Sequence, residues 1–320
     1  MQRVLLIKTS SLGDVVHNLP VVSDIAAAWP GAAIDWVVEG AFAAIPRAHS
    51  RVRRVLPVAL RRWRRAPWSA AVRGEWRDFV AMLRGETYDA VIDTQGLLKS
   101  AILARQALGP KHGLDWTSAR EPLRWFYDHT YRVPWGQHAV VRNRSLAAQA
   151  LGYTPNAVVD YGLQVPPGAA GWMPRSADYV LLLHATSAER KLWPETRWLA
   201  LGAQLVARGL TPVLPWGSPA EQQRSQRLAA GIAGAVVPPR LELEAMAALI
   251  AGARAVIGTD TGLTHLAGAL GVATIGLYGA TDPAATGLHG CARGINLGGM
   301  GCPPAAAEVA AALESLWRVR

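Results

Sequence analysis

Short runs of β-branched and leucine residues alternate with longer amphipathic stretches along nearly the whole chain, and the alternation breaks only once. In the first half the apolar runs are Val4–Ile7, Ile34–Val38, Val55–Val58 and Ala90–Ile92, and helical patterning covers Asn18–Ala28, Glu75–Arg84, Leu97–Leu108 and Val140–Leu151. Strands apolar on both faces, separated by helices polar on one face, are what a parallel sheet with crossover helices requires. From Tyr161 to Asp178 the segment YGLQVPPGAAGWMPRSAD carries Pro, Gly and Ala without period, which predicts a linker. The rhythm then restarts with strands at Tyr179–Leu183, Pro212–Leu214, Ala235–Val237, Ala255–Ile257 and Thr274–Leu277. Helices are expected at Glu195–Arg208, Pro219–Ala230, Leu243–Ala251, Gly262–Leu270 and Ala305–Trp317.

The expected fold is therefore α/β, with two Rossmann-like doubly wound domains at residues 1–160 and 179–320 joined by 161–178. The last helix is a candidate to pack back on the N-terminal domain. A chain of 320 residues with 51% hydrophobic and 18% charged residues has the material for two such cores. In this architecture ligands bind beyond the carboxyl ends of the strands, so the loops there, around a central cleft shared by the two domains, are where chemistry is sought.

Charge and cysteine content narrow the function classes. The start of the chain enters its first strand with no basic leader, and runs such as Leu199–Val206 and Ala245–Gly252 fall short of a spanning length, so a cytoplasmic, non-spanning protein is expected. Cys291 and Cys302 have neither CxxC spacing nor histidine partners, which argues against structural zinc or a disulfide scaffold and for idle thiols. The net charge of +10 is lopsided: residues 1–160 hold 21 Lys and Arg against 13 Asp and Glu, whereas residues 161–320 hold 12 against 10. The first half is built to meet an anion, whether nucleic acid, an anionic membrane or a phosphorylated substrate.

Four loops carry candidate chemistry. KTSSLGD, Lys8–Asp14, follows the first strand; its Asp14 is either a general base or a helix cap. HATSAERKLWP places Thr186, Ser187, Arg190 and Lys191 ahead of a helix begun by Pro194, a set suited to phosphate oxygens and also compatible with a solvated loop. GTDTGLTH, Gly258–His265, joins a strand to an apolar helix: Asp260 leaves the strand, Thr261 and Gly262 open the helix, and His265 lies one turn inside. Amides and dipole at such a helix start favour a diphosphate, although a structural turn with a core histidine fits as well. It matches neither GxGxxG nor a P-loop. In LPWGSPAEQQR, Glu221 sits in a first helical turn, where it can accept from ribose hydroxyls or simply favour the helix start. The first half adds Arg61, Arg62, Arg64 and Arg65 around Trp63, with Pro67 and Trp68 behind, a basic and aromatic patch suited to phosphates at a membrane surface or to solvent.

Taken together, these blocks resemble the bacterial lipopolysaccharide heptosyltransferases, over essentially the whole chain: KTSSLGDVVHNLP, DWVVE, RRWRR, YDAVIDTQGLLKS, KHGLDW, AREP, LLHATS, KLWP, LPWG, DTGLTHLAGAL and YGATDP in that order. The resemblance implies a GT-B glycosyltransferase that moves L-glycero-D-manno-heptose, with inversion, from ADP-heptose to the Kdo sugar of Kdo-lipid A. It makes Asp14 the catalytic base and gives Lys191 a catalytic part in stabilising departing ADP. It makes Thr186, Ser187 and Lys191 phosphate contacts, puts Glu221 at the ribose, and sets Asp260, Thr261, Gly262 and His265 around heptose and diphosphate. Leu241 stands where an adenine meets methionine in relatives, and Ser187 where a second threonine is common. Arg61, Arg62, Arg64 and Arg65, with Lys99, Lys111 and Arg120, would hold the acceptor. The resemblance implies no metal or other cofactor, no nucleic-acid partner, and a monomer on the cytoplasmic face of the inner membrane. The rival readings are a GT-B enzyme using a UDP-sugar and a non-catalytic polyanion-binding protein.

Overall fold

The computed structural model describes residues 1–168 and 178–318. The chain divides into two compact units, Met1–Leu163 and Gln164–Arg320. The boundary falls inside the expected linker, of which residues 169–177 lie outside the described residues.

The N-terminal unit is built on six parallel strands: β1 (Arg3–Ile7), β2 (Ala33–Glu39), β3 (Val52–Val58), β4 (Ala90–Asp93), β5 (Lys111–Leu114) and β6 (His129–Tyr131), in the order β3-β2-β1-β4-β5-β6. Strand order reverses between β1 and β4, which opens a crevice at their carboxyl ends. The first four strands follow the apolar runs. The last two strands, β5 and the edge strand β6, are short and polar, with histidine, lysine and glycine where a buried strand has Val or Ile, so periodicity does not reveal them. β3 begins three residues earlier than its apolar run because Arg53 and Arg54 are neutralised in place. Both reach the fully buried carboxylate of Asp35 on β2, at 2.8–2.9 Å from Arg53 and 3.2 Å from Arg54, and Tyr88 donates to the same group at 2.9 Å.

The C-terminal unit holds β7 (Tyr179–Leu183), β8 (Thr211–Val213), β9 (Ala255–Thr259), β10 (Thr274–Tyr278) and β11 (Gly294–Gly298), all parallel, in the order β11-β10-β9-β7-β8. The strand expected at Ala235–Val237 is reduced to one parallel bridge, Val213 with Val236, flanked by the bonds Val236 N–H to Pro212 O and Leu214 N–H to Val236 O. Counting that bridge as a third strand gives both units one topology. β11, GINLG, is a glycine-rich edge strand outside the apolar rhythm. The last helix, Ala306–Arg318, packs against helix Glu195–Val206 and β10 of its own unit. Val309, Leu313 and Leu316 belong to the same core as Trp198, Leu201 and Ile275. Among the described residues no helix is long and apolar enough to cross a membrane, and no disulfide joins the two cysteines.

One buried ion pair fixes the helices flanking the N-terminal sheet. Arg144, on helix Ala139–Leu151, grips Asp24, on helix Leu19–Ala28, through two bonds of 2.6 and 2.8 Å; Arg144 also donates to Asn156 O, whose own residue donates its N–H back to Asp24. Both side chains are under a tenth exposed, so losing one partner strands a charge. Arg144→Met is expected to lower the unfolding free energy by about 3–5 kcal/mol, and the double variant Asp24→Leu/Arg144→Met by much less. Urea unfolding of both variants and the wild type measures the difference, and equal losses would contradict the stranded-charge account.

Candidate functional site

Each unit carries a cluster of candidate residues at the carboxyl ends of its central strands. In the N-terminal unit, β1 delivers Lys8–Ser11 to the crevice and helix Leu12–Val16 begins at once. Gln95, just beyond β4, shapes this loop: its Oε1 accepts the amides of Thr9 at 3.0 Å and Ser10 at 3.1 Å, while its own N–H donates to Asp93. Asp14 caps the helix with one oxygen only. Its Oδ2 accepts from the Ser11 amide at 2.7 Å and the Ser11 hydroxyl at 3.0 Å, and its Oδ1 makes no hydrogen bond among the described residues. Cap and base are thus compatible roles: the bonds on one oxygen orient the other.

Beneath this loop lies Lys8, whose ammonium donates to Thr94 O at 2.6 Å and Asn143 Oδ1 at 3.3 Å. Burial pushes this ammonium below the usual lysine range; Asp14 and Asp93 pull it up, and Arg142 and Arg120 push it down again. Arg120 and Arg142 therefore act electrostatically on the same spot. Arg142 lies 3.8 Å over the Trp135 ring and donates to Ser118 O, and Lys99 donates to the Ser10 hydroxyl at 2.8 Å. The result is a cationic rim around Lys8, beneath the loop that leads to Asp14.

Of the expected acceptor residues, Lys99 and Arg120 belong to this rim. Lys111 does not: it opens β5 at the level of Val91 and Leu5, three residues below Lys8, and its amide is tied to Asp128. Arg61, Arg62, Arg64 and Arg65 form a separate cluster after β3, which lies two strands from β1, about 10 Å away at the usual strand spacing. Their mutual repulsion is relieved from within, because Arg62 is held bidentately by Glu75 and Arg61 lies 6.0 Å over the Phe42 ring.

In the C-terminal unit, Asp260 leaves β9 and gathers its neighbours. Its Oδ2 accepts from Lys191 Nζ at 2.7 Å and the Thr281 hydroxyl at 2.9 Å, and its Oδ1 faces His265 Nε2 at 3.3 Å. Burial alone would push this carboxyl up, but His265 and Lys191 outweigh it and hold Asp260 well below the usual carboxylate range. The loop after β7 is laced to the same point: Thr186 donates to Asp260 O at 3.1 Å and Thr259 to Ala185 O at 3.2 Å. Thr261 ends the extended path, and helix Gly262–Ala269 starts with the amides of Gly262 and Leu263 outside the helical ladder. Thr264 returns its hydroxyl to Thr259 O, and a Cβ on Gly258 would meet that hydroxyl at 2.1 Å, so β9 requires glycine there. An ammonium, a hydroxyl and free helix amides held around one ionised carboxylate make an anion site with a built-in counter-charge.

The other expected donor residues are placed less tightly. Ser187 is exposed on the loop after β7. Glu221 caps its helix: Oε2 accepts the amides of Gly217 at 2.7 Å and Ser218 at 3.1 Å, which leaves Oε1 for a ligand. Leu241 is half-buried just before helix Leu243–Ala251. Four contributors escaped the sequence reading. Lys8 and Thr281 stand inside the quoted blocks KTSSLGD and YGATDP, and Gln95 inside YDAVIDTQGLLKS, so their loops were visible though their roles were not. Arg142 carries no local signal, because only packing brings it to Lys8.

Two parallel doubly wound units leave many chemistries open, and comparison with known proteins defines the class as a glycosyltransferase. Residues 76–312 match the model of glycosyltransferase family 9 (heptosyltransferase). The lipopolysaccharide heptosyltransferase 1 of Pseudomonas aeruginosa is 52% identical over 294 residues, 90% of this chain and 81% of that one; its Escherichia coli K12 counterpart is 47% identical over 296 residues, 90% and 91%. The solved structure of E. coli heptosyltransferase WaaC with ADP superimposes with a TM-score of 0.90 at 42% identity, covering 98% of this chain and 100% of that one. The chain belongs to glycosyltransferase family 9, the heptosyltransferases, and is a GT-B glycosyltransferase.

The Asp260 geometry has a direct solution test. Its carboxyl is expected to remain ionised through the range, near about 3.9, where an ordinary aspartate titrates. Carbon-detected NMR of the labelled side chain follows it, and an ordinary midpoint would mean that Lys191 and His265 do not hold it as described.

Proposed function

We propose that this enzyme transfers L-glycero-D-manno-heptose from ADP-heptose to the Kdo sugar of Kdo-lipid A, the first heptose addition of the lipopolysaccharide inner core. The observation that carries the donor half is the Lys191–Asp260–His265–Thr281 cluster at the opening of helix Gly262–Ala269. Related structures support it, since E. coli WaaC has been solved with ADP and with ADP-2-deoxy-2-fluoro heptose. In this reading the amides of Thr261 and Gly262, the ammonium of Lys191 and the hydroxyls of Thr186 and Ser187 hold the diphosphate and stabilise the charge that builds on departing ADP. Asp260 and His265 meet the heptose, Glu221 Oε1 accepts from the ribose, and Leu241 lies against the adenine. The cationic groups do for the leaving group what a metal ion does in other transferases, so the reaction calls for no cofactor.

Asp14 Oδ1 takes the proton of the attacking Kdo hydroxyl, and a single displacement inverts the anomeric carbon. The acceptor's carboxylate and phosphates answer the cationic rim of Lys8, Lys99, Arg120 and Arg142, where like charges around a buried ammonium are relieved by a bound anion. The Arg61–Arg65 cluster faces an anionic membrane, consistent with a monomer working on the cytoplasmic face of the inner membrane without nucleic acid.

Mass spectrometry of Kdo-lipid A incubated with ADP-heptose and the enzyme should show addition of one heptose; an unchanged acceptor would overturn the proposal. ADP should raise the melting temperature more than UDP does, because selective binding stabilises the fold by mass action. Asp14→Asn is expected to keep that ADP response while turnover drops about 10²- to 10⁴-fold. Lys191→Met should weaken ADP binding by about 10- to 100-fold, the worth of a charge-assisted hydrogen bond. Near-normal turnover in the first variant removes Asp14 from the mechanism.

A further inference from the structure

The basic segment after β3 encloses hydrocarbon-lined space as well as charge. Helix Leu60–Trp63 and the first turns of helix Ala70–Arg84 bound a groove of about 740 Å³ floored by Leu60, Trp63, Val72 and Trp76. That volume lies in the range of about 300–1,000 Å³ found for sites that enclose a small molecule. Trp63 and Trp76 meet edge to face with ring centroids 5.8 Å apart, and the Trp63 N–H is already taken by Glu75 at 2.7 Å. The Trp63 face of the floor thus offers an occupant dispersion contacts and no hydrogen bond.

The rim has the opposite character. Arg64, Arg73 and Arg77 line the mouth, all three are exposed, and none forms an ion pair among the described residues. Residues 59–84 hold seven arginines against two acids, Glu75 and Asp78, and Glu75 is already bound to Arg62. Beside the groove Trp68 is 83% exposed, an indole of the kind that settles at the boundary between water and acyl chains. An occupant complementary to this surface is anionic at one end and hydrocarbon at the other.

The geometry points to a site for one acyl chain of an anionic bilayer lipid, its chain lying on Trp63 and Trp76 and its phosphodiester among Arg64, Arg73 and Arg77. The inference rests on the membrane-facing reading above for the source of the lipid, and it converts that reading from surface attraction into recognition of a single molecule. A chain drawn into a protein groove adds apolar burial to the attraction between arginines and a charged surface, so the two contributions are separable by probe.

The test uses the full chain and monomeric myristoyl-lysophosphatidylglycerol below its micellar concentration, followed by calorimetry. Binding is expected to be at least about tenfold tighter than for glycerophosphoglycerol, which lacks the chain, or for myristoyl-lysophosphatidylcholine, which lacks the net charge. Ala70→Trp, which fills the groove from the exposed start of its helix, and Arg73→Glu/Arg77→Glu, which inverts the rim, should each weaken binding about tenfold while keeping the ADP-induced rise in melting temperature. Equal binding of the chainless or choline probe overturns the site, as does undiminished binding in the folded variants. Binding only of acylated acceptor, and not of the lysolipid, overturns it in favour of the substrate's own chains. Heptose transfer is measured separately: its failure would sink the transferase reading and leave the lipid result standing.

Discussion

The C-terminal half-site depends on one buried carboxylate. Asp260 ties the end of β9 to Lys191, to Thr281 beyond β10 and to His265 in the following helix, so three loops from different strands are held to one point. A buried negative charge is costly alone and strongly directing when partnered. Because its donors hold Asp260 ionised, Lys191 is fixed near the start of helix Gly262–Ala269. Groups fixed in this way lower the cost of ordering a site around a ligand.

The N-terminal half-site is organised by the opposite imbalance. Lys8 is buried among Arg120, Arg142, Asp14 and Asp93, and burial together with the two guanidiniums weakens its hold on a proton. Thr94 O and Asn143 fix where its charge lies, while Gln95 fixes the loop above it. Asp14 sits in this positive field with one oxygen bound to Ser11 and the other open. The arrangement orients a carboxylate beside a buried ammonium and two guanidiniums.

Charge on the N-terminal unit thus serves different ends in different places. Around Asp35 and Asp24 the arginines are structural, paired with buried carboxylates. At the Lys8 rim they are uncompensated at the carboxyl end of the sheet. After β3 they border an apolar groove. The net excess of positive charge alone does not distinguish these cases, since a paired and an unpaired arginine contribute equally to a count.

Periodicity in the sequence was enough to settle the alternating α/β build, the two units and the central strands, because a buried parallel strand must be apolar on both faces and its helices on one. The order of the motif blocks was enough to settle the family, and the short-range caps at Asp14 and Glu221 were legible from residues three apart. The edge strands β6 and β11 were hidden, since an edge buries little and tolerates histidine or glycine, and β5 was hidden because its two buried residues are His112 and Gly113. Tertiary packing alone decided that Lys111 opens its strand, three residues below the level of Lys8, that Arg142 comes within electrostatic range of Lys8 and that Arg62 is neutralised by Glu75. It also decided which helix and strand of its own unit the last helix packs against. Each of these rests on contacts between residues distant in sequence, or on the direction in which a strand runs, and neither leaves a local pattern.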